Sequence, residues 1–166
     1  MRIVAQEGIE DAPWKHLIGW SERVFPIEGE GKEWSRTGWH LLAFDHDDMP
    51  VAHIGYDRFT IMVNDKPLVV LGIGGVVVRP EYQGRGISGL LFNELHSRVG
   101  PDLGVPVYAL FCPERLVPYY QKQGYSHHNS GVTFPQFGTE VESVFELLYR
   151  SPMPLNGAIK LLTPPW

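Results

Sequence analysis

Apolar positions recur along this chain in two periods, and the change of period divides it. Ile3 to Ala5 forms a short apolar start suited to a strand. Asp11 then stands as an N-cap with Pro13 in the first turn. Trp14, Leu17, Ile18, Ser21, Val24 and Phe25 follow on one face at helical spacing until Pro26 stops them. Glu28 to Arg36 is polar and broken by glycine, so it reads as a loop or a short second helix. Three runs rich in Val, Ile and aromatics come next, Trp39–Phe44, Val51–Val63 and Leu68–Val78. Asp45-His46-Asp47-Asp48 and Asn64-Asp65-Lys66-Pro67 separate them as hairpin turns, which predicts an antiparallel meander.

The period then lengthens. Ile87, Leu90, Leu91, Leu95 and Val99 fit a helix ending near Gly100-Pro101. Val105–Cys112 is nearly all apolar, as a buried strand would be. A short helix is expected over Glu114–Gln123, kinked or delayed by Pro118 and closed by Gly124. Tyr125–Phe134 and Val141–Tyr149 read as two last strands. The resulting order, β-α-(α)-β-β-β-α-β-α-β-β, predicts an α/β fold around a mixed, mostly antiparallel sheet.

The 166 residues suit one domain, spanning 1–166, with no internal repeat. Fourteen basic against nineteen acidic residues leave a net charge of −5, and no Lys/Arg run supplies a basic stripe, so no nucleic-acid partner is expected. Cys112 is the single cysteine, which excludes an internal disulfide and a Cys-based metal cage. His127 and His128 are adjacent on a strand and point to opposite faces, so they do not chelate, and no metal is expected. No stretch approaches the roughly 18 apolar residues that span a bilayer, and the first residues lack the apolar core of a signal peptide. The expectation is a cytoplasmic protein with no membrane partner.

The most informative segment runs from Val76 to Gly89, where a strand ends at Arg79-Pro80 and a glycine-rich loop opens into an amphipathic helix. Glycines let successive amides converge on one spot, and a helix N-terminus adds unpaired N–H groups and its dipole. Together they suit a pyrophosphate. The loop has no lysine, so it is not a nucleoside-triphosphate loop. Gly84-Arg85-Gly86-Ile87-Ser88-Gly89 fits the dinucleotide hexamer in letters only. Five residues, Arg79 to Gln83, intervene after the strand, no acid lies near Tyr108 or Ala109, and a meander precedes the motif where a βαβ unit would be needed.

Val76-Val77-Val78-Arg79-Pro80 followed by Gln83-Gly84-Arg85-Gly86-Ile87-Ser88 resembles the signature of the GCN5-related N-acetyltransferases (GNAT). That signature is a Val-x-Val-Arg-Pro strand end, then Gln/Arg-x-x-Gly-x-Gly/Ala. Ser88 stands where that superfamily prefers Gly or Ala. Its downstream Phe-Tyr-x-Lys-x-Gly-Phe is matched by Tyr119-Tyr120-Gln121-Lys122-Gln123-Gly124-Tyr125, at the usual separation with a strand between. The resemblance implies an acyl-CoA N-acyltransferase fold and transfer of an acetyl group from acetyl-CoA to a primary amine in a ternary complex. Val76, Val77 and Val78 would border the pantetheine arm of coenzyme A, with Val76 and Val78 pairing their backbone to it. Amides from Gln83 and Gly84 through Arg85, Gly86, Ile87 and Ser88 to Gly89 would hold the pyrophosphate beside Tyr119, and Tyr120 would protonate the leaving thiolate. The chain is similar, more distantly, to the aminoglycoside 2′-N-acetyltransferase branch, where a terminal carboxylate faces the sugar, as the tail at Trp166 suggests.

Gly72, Gly74 and Gly75 interrupt the strand upstream of the motif, which marks a bulge or a close backbone approach. A bulge would free an amide to face the acyl carbonyl. Many members carry an acid near Gly74, and this chain does not. If the hairpin centres between Asp65 and Lys66, Asp57 falls opposite Gly74 and His53 opposite Val78. Asp57 is then the candidate base, through a water, with His53 behind it. A bulge would shift that register by one. Glu28, Glu30 and Glu33 lie where the superfamily builds its acceptor pocket, and they read either as an attraction for an ammonium group or as a solvated loop. Cys112 reads as a buried strand-end residue, and Trp14, Trp20, Trp34 and Trp39 as core or pocket wall. The expected partner is a small-molecule or peptide amine, and the expected assembly a monomer or homodimer. A non-catalytic acyl-CoA-binding module is the alternative.

Overall fold

The computed structural model describes residues 1–8 and 31–166. The helix expected after Asp11, with Trp14 and Trp20, and the acids Glu28 and Glu30 lie outside the described residues. The meander forms as expected. Strand β1 (Arg2–Glu7) pairs with β2 (Trp39–Phe44), β2 with β3 (Pro50–Val63), and β3 with β4 (Lys66–Val78), all antiparallel. Beyond them lie β5 (Tyr108–Cys112), β6 (Ser126–His127), β7 (Val132–Gln136), β8 (Thr139–Glu142), β9 (Glu146–Arg150) and β10 (Ile159–Leu161). The main path of the sheet runs β6-β9-β5-β4-β3-β10-β7-β8, with the β4–β5 and β10–β7 pairs parallel. The fold is therefore a mixed α/β sheet, as its sequence predicts.

Four details differ from the sequence reading. The β3–β4 turn is Asn64-Asp65, both residues left-handed (φ 47° and 62°), so Val63 pairs with Lys66. A two-residue turn of that kind matches the twist of a hairpin, and Asn and Asp tolerate it. It moves the register two residues from the one expected at Asp57, which faces Gly72 rather than Gly74, and an irregularity between Gly55 and His53 reduces the shift to one at His53, which faces Val77 rather than Val78. The helix after the loop also does not stop at Gly100-Pro101. It runs as α1 (Ile87–Glu94), a wide turn over Leu95–Val99 and α2 (Gly100–Leu103), then ends at left-handed Gly104. The Gly100 amide donates to the Leu95 carbonyl, five residues back, and this wider turn admits proline, which has no amide to give. The two last strands are each divided, giving β6 with β7 and β8 with β9, and β10 is an added strand.

Both faces of the sheet are covered. On one, Leu41, Ile54, Leu71, Ile73 and Leu110 meet Ile87, Leu91, Phe92 and Leu95 from the helical layer. On the other, Ile61, Val70, Ala109, Phe134, Leu147, Ile159 and Leu161 enclose Trp166. Strands covered twice need no alternation, which is why β4 and β5 read as near-continuous apolar runs. A helix α3 (Val117–Lys122) follows a single tight turn at Glu114–Leu116. Pro118 sits in its first turn, so it delays the helix rather than kinking it. Gly124 (φ 85°) closes it, its amide donating to Gln121 and the Tyr125 amide to Tyr120.

Candidate active site

The parallel pairing of β4 with β5 covers only Leu71–Ile73 against Tyr108–Leu110. Past that point Gly74–Val78 loses β5 while β5 stays paired with β9 through Cys112. A cleft therefore opens between the strand ends, and it leaves one backbone edge of Val76, Val77 and Val78 unpaired by β5. The parting coincides with a bulge. Gly55 pairs with Gly74 and His53 with Val77, so Gly75 and Val76 together oppose Ile54, and Gly75 is left-handed at φ 58°. The bulge that the glycines imply is thus present, on β4, between the candidate residues and not between Asp57 and the turn.

The loop beyond Pro80 has the backbone an anion needs. Gly84 (φ 73°) and Gly86 (φ 75°) are both left-handed, and a Cβ on either would meet no atom within 4 Å. Glycine is required there by conformation, not by space. Gly86 is the N-cap of α1 and offers no side chain. The first helical bond runs from the Leu90 amide to the Gly86 carbonyl, so the amides of Ile87, Ser88 and Gly89 precede the ladder. Ile87 is anchored by its buried side chain. The Gln83 side chain donates to the Val78 carbonyl at 3.0 Å and so ties the loop to the strand end. The Arg85 guanidinium lies 5.1 Å over the Tyr82 ring, whose hydroxyl donates to Asp45 at 2.5 Å. Asp45 also accepts from the Asp47 and Met49 amides, so the Asp45–Asp48 segment is a side-chain-capped turn.

Helix α3 sets two tyrosines beside α1 and near Cys112 at the end of β5. The Tyr119 hydroxyl donates to Ser88 Oγ at 2.7 Å, joining α3 to the first turn of α1. Tyr120 is buried and meets Phe92, Tyr119 and Tyr125 edge-on, with ring centroids 5.9, 4.9 and 6.2 Å away. Burial, then the neighbouring Cys112 and Tyr119, push its phenol well above the ordinary range, so it keeps its proton. Among the described residues its hydroxyl makes no hydrogen bond. Cys112 is itself pushed up to about 12, chiefly by burial and then by Glu146, so it is an inert thiol.

On the other face the glycines meet the tail. The Trp166 ring occupies the space of a side chain at Gly72 and stacks on Phe59 at 4.3 Å, while its indole donates to the Ala109 carbonyl at 3.1 Å. The Trp166 main-chain carbonyl carbon lies 2.7 Å from where a Cβ on Gly74 would sit. A carboxylate side chain at position 74 has no room beside this tail, which gives the departure at Gly74 a steric cause. Asp57 lies opposite Gly72, two pairs from Gly74, its two oxygens accepting from the Gly38 and Arg58 amides, each at 2.8 Å. His53 is fully buried between the Gly75 carbonyl (2.6 Å) and His40 (2.9 Å), and burial lowers its pKa to about 4. His40 is the site-facing residue that the sequence reading missed. Its signal was one face shared by diagonal positions on β2 and β3. Glu33 holds the β7–β8 hairpin: its main-chain N–H donates to Gln136 Oε1, its carbonyl accepts from Gln136 Nε2, and its carboxylate accepts from the Phe137 amide. His127, the last residue of β6, pairs with Glu146 at 2.5 Å, and His128, just beyond the strand, is buried.

This combination of parted strands, a bulged β4 and an uncapped glycine loop defines a class, and comparison with known proteins agrees. The family model for the acetyltransferase (GNAT) domain matches residues 8–128, and the chain belongs to that family. Among solved structures it is similar to a GNAT family acetyltransferase from Brucella melitensis in complex with acetyl-CoA, at 16% identity and TM-score 0.57, covering 95% of this chain and 94% of that one. It is also similar to a GNAT family N-acetyltransferase from Escherichia coli in complex with CoA, at 16% identity and TM-score 0.60, covering 97% and 90%. A GCN5-related N-acetyltransferase from Kribbella flavida matches at 24% identity and TM-score 0.53 over 76% of this chain, which spans only 34% of that one. Among the described residues no helix is long and apolar enough to cross a membrane.

Proposed function

We propose that this chain is an acetyl-CoA-dependent N-acetyltransferase acting on a primary amine of a small molecule or peptide. The observation that carries the reading is the left-handed pair Gly84 and Gly86 leading into the uncapped first turn of α1, beside a β4 edge without β5. Pyrophosphate oxygens suit the amides from Gly84 to Gly89, since the Gln83 amide already donates to the Pro80 carbonyl at 3.2 Å, and the Ser88 side chain is fixed by Tyr119. The pantetheine amides suit the open backbone edge at Val76–Val78, as an added strand would.

In this reading the amine nitrogen bonds to the thioester carbonyl carbon, and the carbonyl oxygen becomes an oxyanion. Collapse of that intermediate breaks the carbon–sulfur bond, the departing thiolate takes the Tyr120 proton, and the surplus proton on the newly bonded nitrogen leaves through water and restores the phenol. Burial holds the phenol protonated, so the proton is in place, and the same burial makes it a weaker acid that yields the proton only as full negative charge develops on the departing sulfur. Asp57 receives the ammonium proton through a water, since it is the acid beside the glycine pair. Thiol release from acetyl-CoA tests the reading against a panel of polyamines, amino sugars and peptides. Turnover with any of them, lost in Tyr120→Phe while coenzyme A still binds, supports it. Binding without turnover across the panel replaces it with a non-catalytic acyl-CoA-binding module.

A further inference from the structure

The buried His40–His53 pair has an order that its own hydrogen bonds fix. His53 Nδ1 faces the Gly75 carbonyl at 2.6 Å. A carbonyl only accepts, so Nδ1 carries the hydrogen. His53 is neutral, because burial holds its pKa at about 4, and its Nε2 is therefore a lone pair. That lone pair faces His40 Nδ1 at 2.9 Å, which must donate. The tautomers of both rings follow from one main-chain carbonyl. His40 pairs with Gly55 and His53 with Leu42, so the two rings are diagonal neighbours on one face of β2 and β3. Burial lowers the His40 pKa and Asp57 acts against that shift.

The carbonyl they hold belongs to the bulge. Gly75 adopts φ 58°, and a Cβ there would stand 3.1 Å from His53 Cε1, so glycine and histidine fit each other. In a trans peptide the C=O of Gly75 and the N–H of Val76 point in opposite directions. Pinning the carbonyl toward β3 therefore aims the Val76 amide away from it, and Val76 lies on the stretch of β4 that has parted from β5. A donor on the carbonyl also polarises the same peptide and strengthens its N–H.

Resting on the acetyl-transfer reading above, we infer that His53 is a positioning residue. It clamps the Gly75–Val76 peptide so that the Val76 amide meets the acyl oxygen as charge develops there, and His40 locks the tautomer that makes the clamp possible. His53 touches neither substrate in this arrangement; it acts through the peptide.

The test compares His53→Leu with His53→Asn, whose side-chain amide can restore a donor near the Nδ1 position. His53→Leu lowers kcat about 10- to 100-fold, the scale of a misplaced or lost oxyanion donor, with the KM for acetyl-CoA within about twofold of the parent. His53→Asn recovers most of that loss. Unchanged kcat in His53→Leu, or no recovery in His53→Asn with both variants folded, overturns the inference. A measurement on the unsubstituted chain stands beside it, long-range correlation of the histidine ring nitrogens by NMR. The inference requires His53 protonated on Nδ1 from pH 8 to 6, and an Nε2-protonated ring overturns it even if the variants fail to fold. If no amine is turned over by the parent, the acetyl-transfer reading fails, while the ring-nitrogen result still decides the clamp.

Discussion

Tyr119 and Ser88, 31 residues apart, share a 2.7 Å hydrogen bond that fastens α3 to the first turn of α1. The serine that departs from the family's usual Gly or Ala thereby gains a partner from the second motif. The bond fixes the turn whose amides would hold the pyrophosphate. Tyr119→Phe is expected to raise the coenzyme A dissociation constant about 2- to 10-fold, the net worth of one such bond, with kcat little changed. In Ser88→Ala the effect is similar, and the double variant adds little more, as calorimetry on the four proteins would show.

Tyr120 contributes differently. Tyr120→Phe keeps the ring contacts with Phe92 and Tyr125 but removes the proton, so kcat falls about 10²- to 10⁴-fold while coenzyme A affinity holds. Steady-state thiol release with parallel calorimetry separates the two.

Most of the site's backbone was legible in the sequence, because glycine advertises backbone. The Gly84–Gly89 loop announced converging amides, and Gly72, Gly74 and Gly75 together a bulge or a close approach; the structure makes Gly84 and Gly86 left-handed and puts the bulge at Gly75. The register was not legible, since either Asn64-Asp65 or Asp65-Lys66 could centre the hairpin and only the observed turn decides. The Trp166 contact with Gly74 joins positions 92 residues apart, and no local pattern encodes it. The same is true of His40 and His53, whose hydrogen bond depends on strand pairing. The division between β6 and β7 was marked by Asn129-Ser130-Gly131, a turn cluster that the reading ran through, whereas Ser143-Val144-Phe145 between β8 and β9 holds no such breaker.

The fit of Trp166 over Gly74 predicts that Gly74→Ala destabilises the fold by about 1–3 kcal/mol, because a main-chain atom cannot swing aside as a flexible side chain would. Urea denaturation measures it. Gly84→Ala costs about 1 kcal/mol through its left-handed backbone alone, with no clash to relieve.

A buried histidine, His53, and a half-buried one, His96, set the response to acid. His53 and His96 are each lowered to about 4, both mainly by burial, and His96 shares a 2.8 Å bond with Tyr125. Their charged forms are favoured in the unfolded chain, near pH 6.5, and disfavoured in the folded one. Stability is therefore full above about pH 6.5 and declines as the pH falls toward 4. Thermal melting across that range is expected to show the decline, and a smaller one in His96→Phe.

The most direct measurement follows the backbone amides by NMR during addition of coenzyme A. Resonances of Gly84, Arg85, Gly86, Ile87, Ser88 and Gly89 are expected to move together and saturate at one equivalent. Saturating shifts confined to another surface, or none at all, would contradict the assignment of this loop.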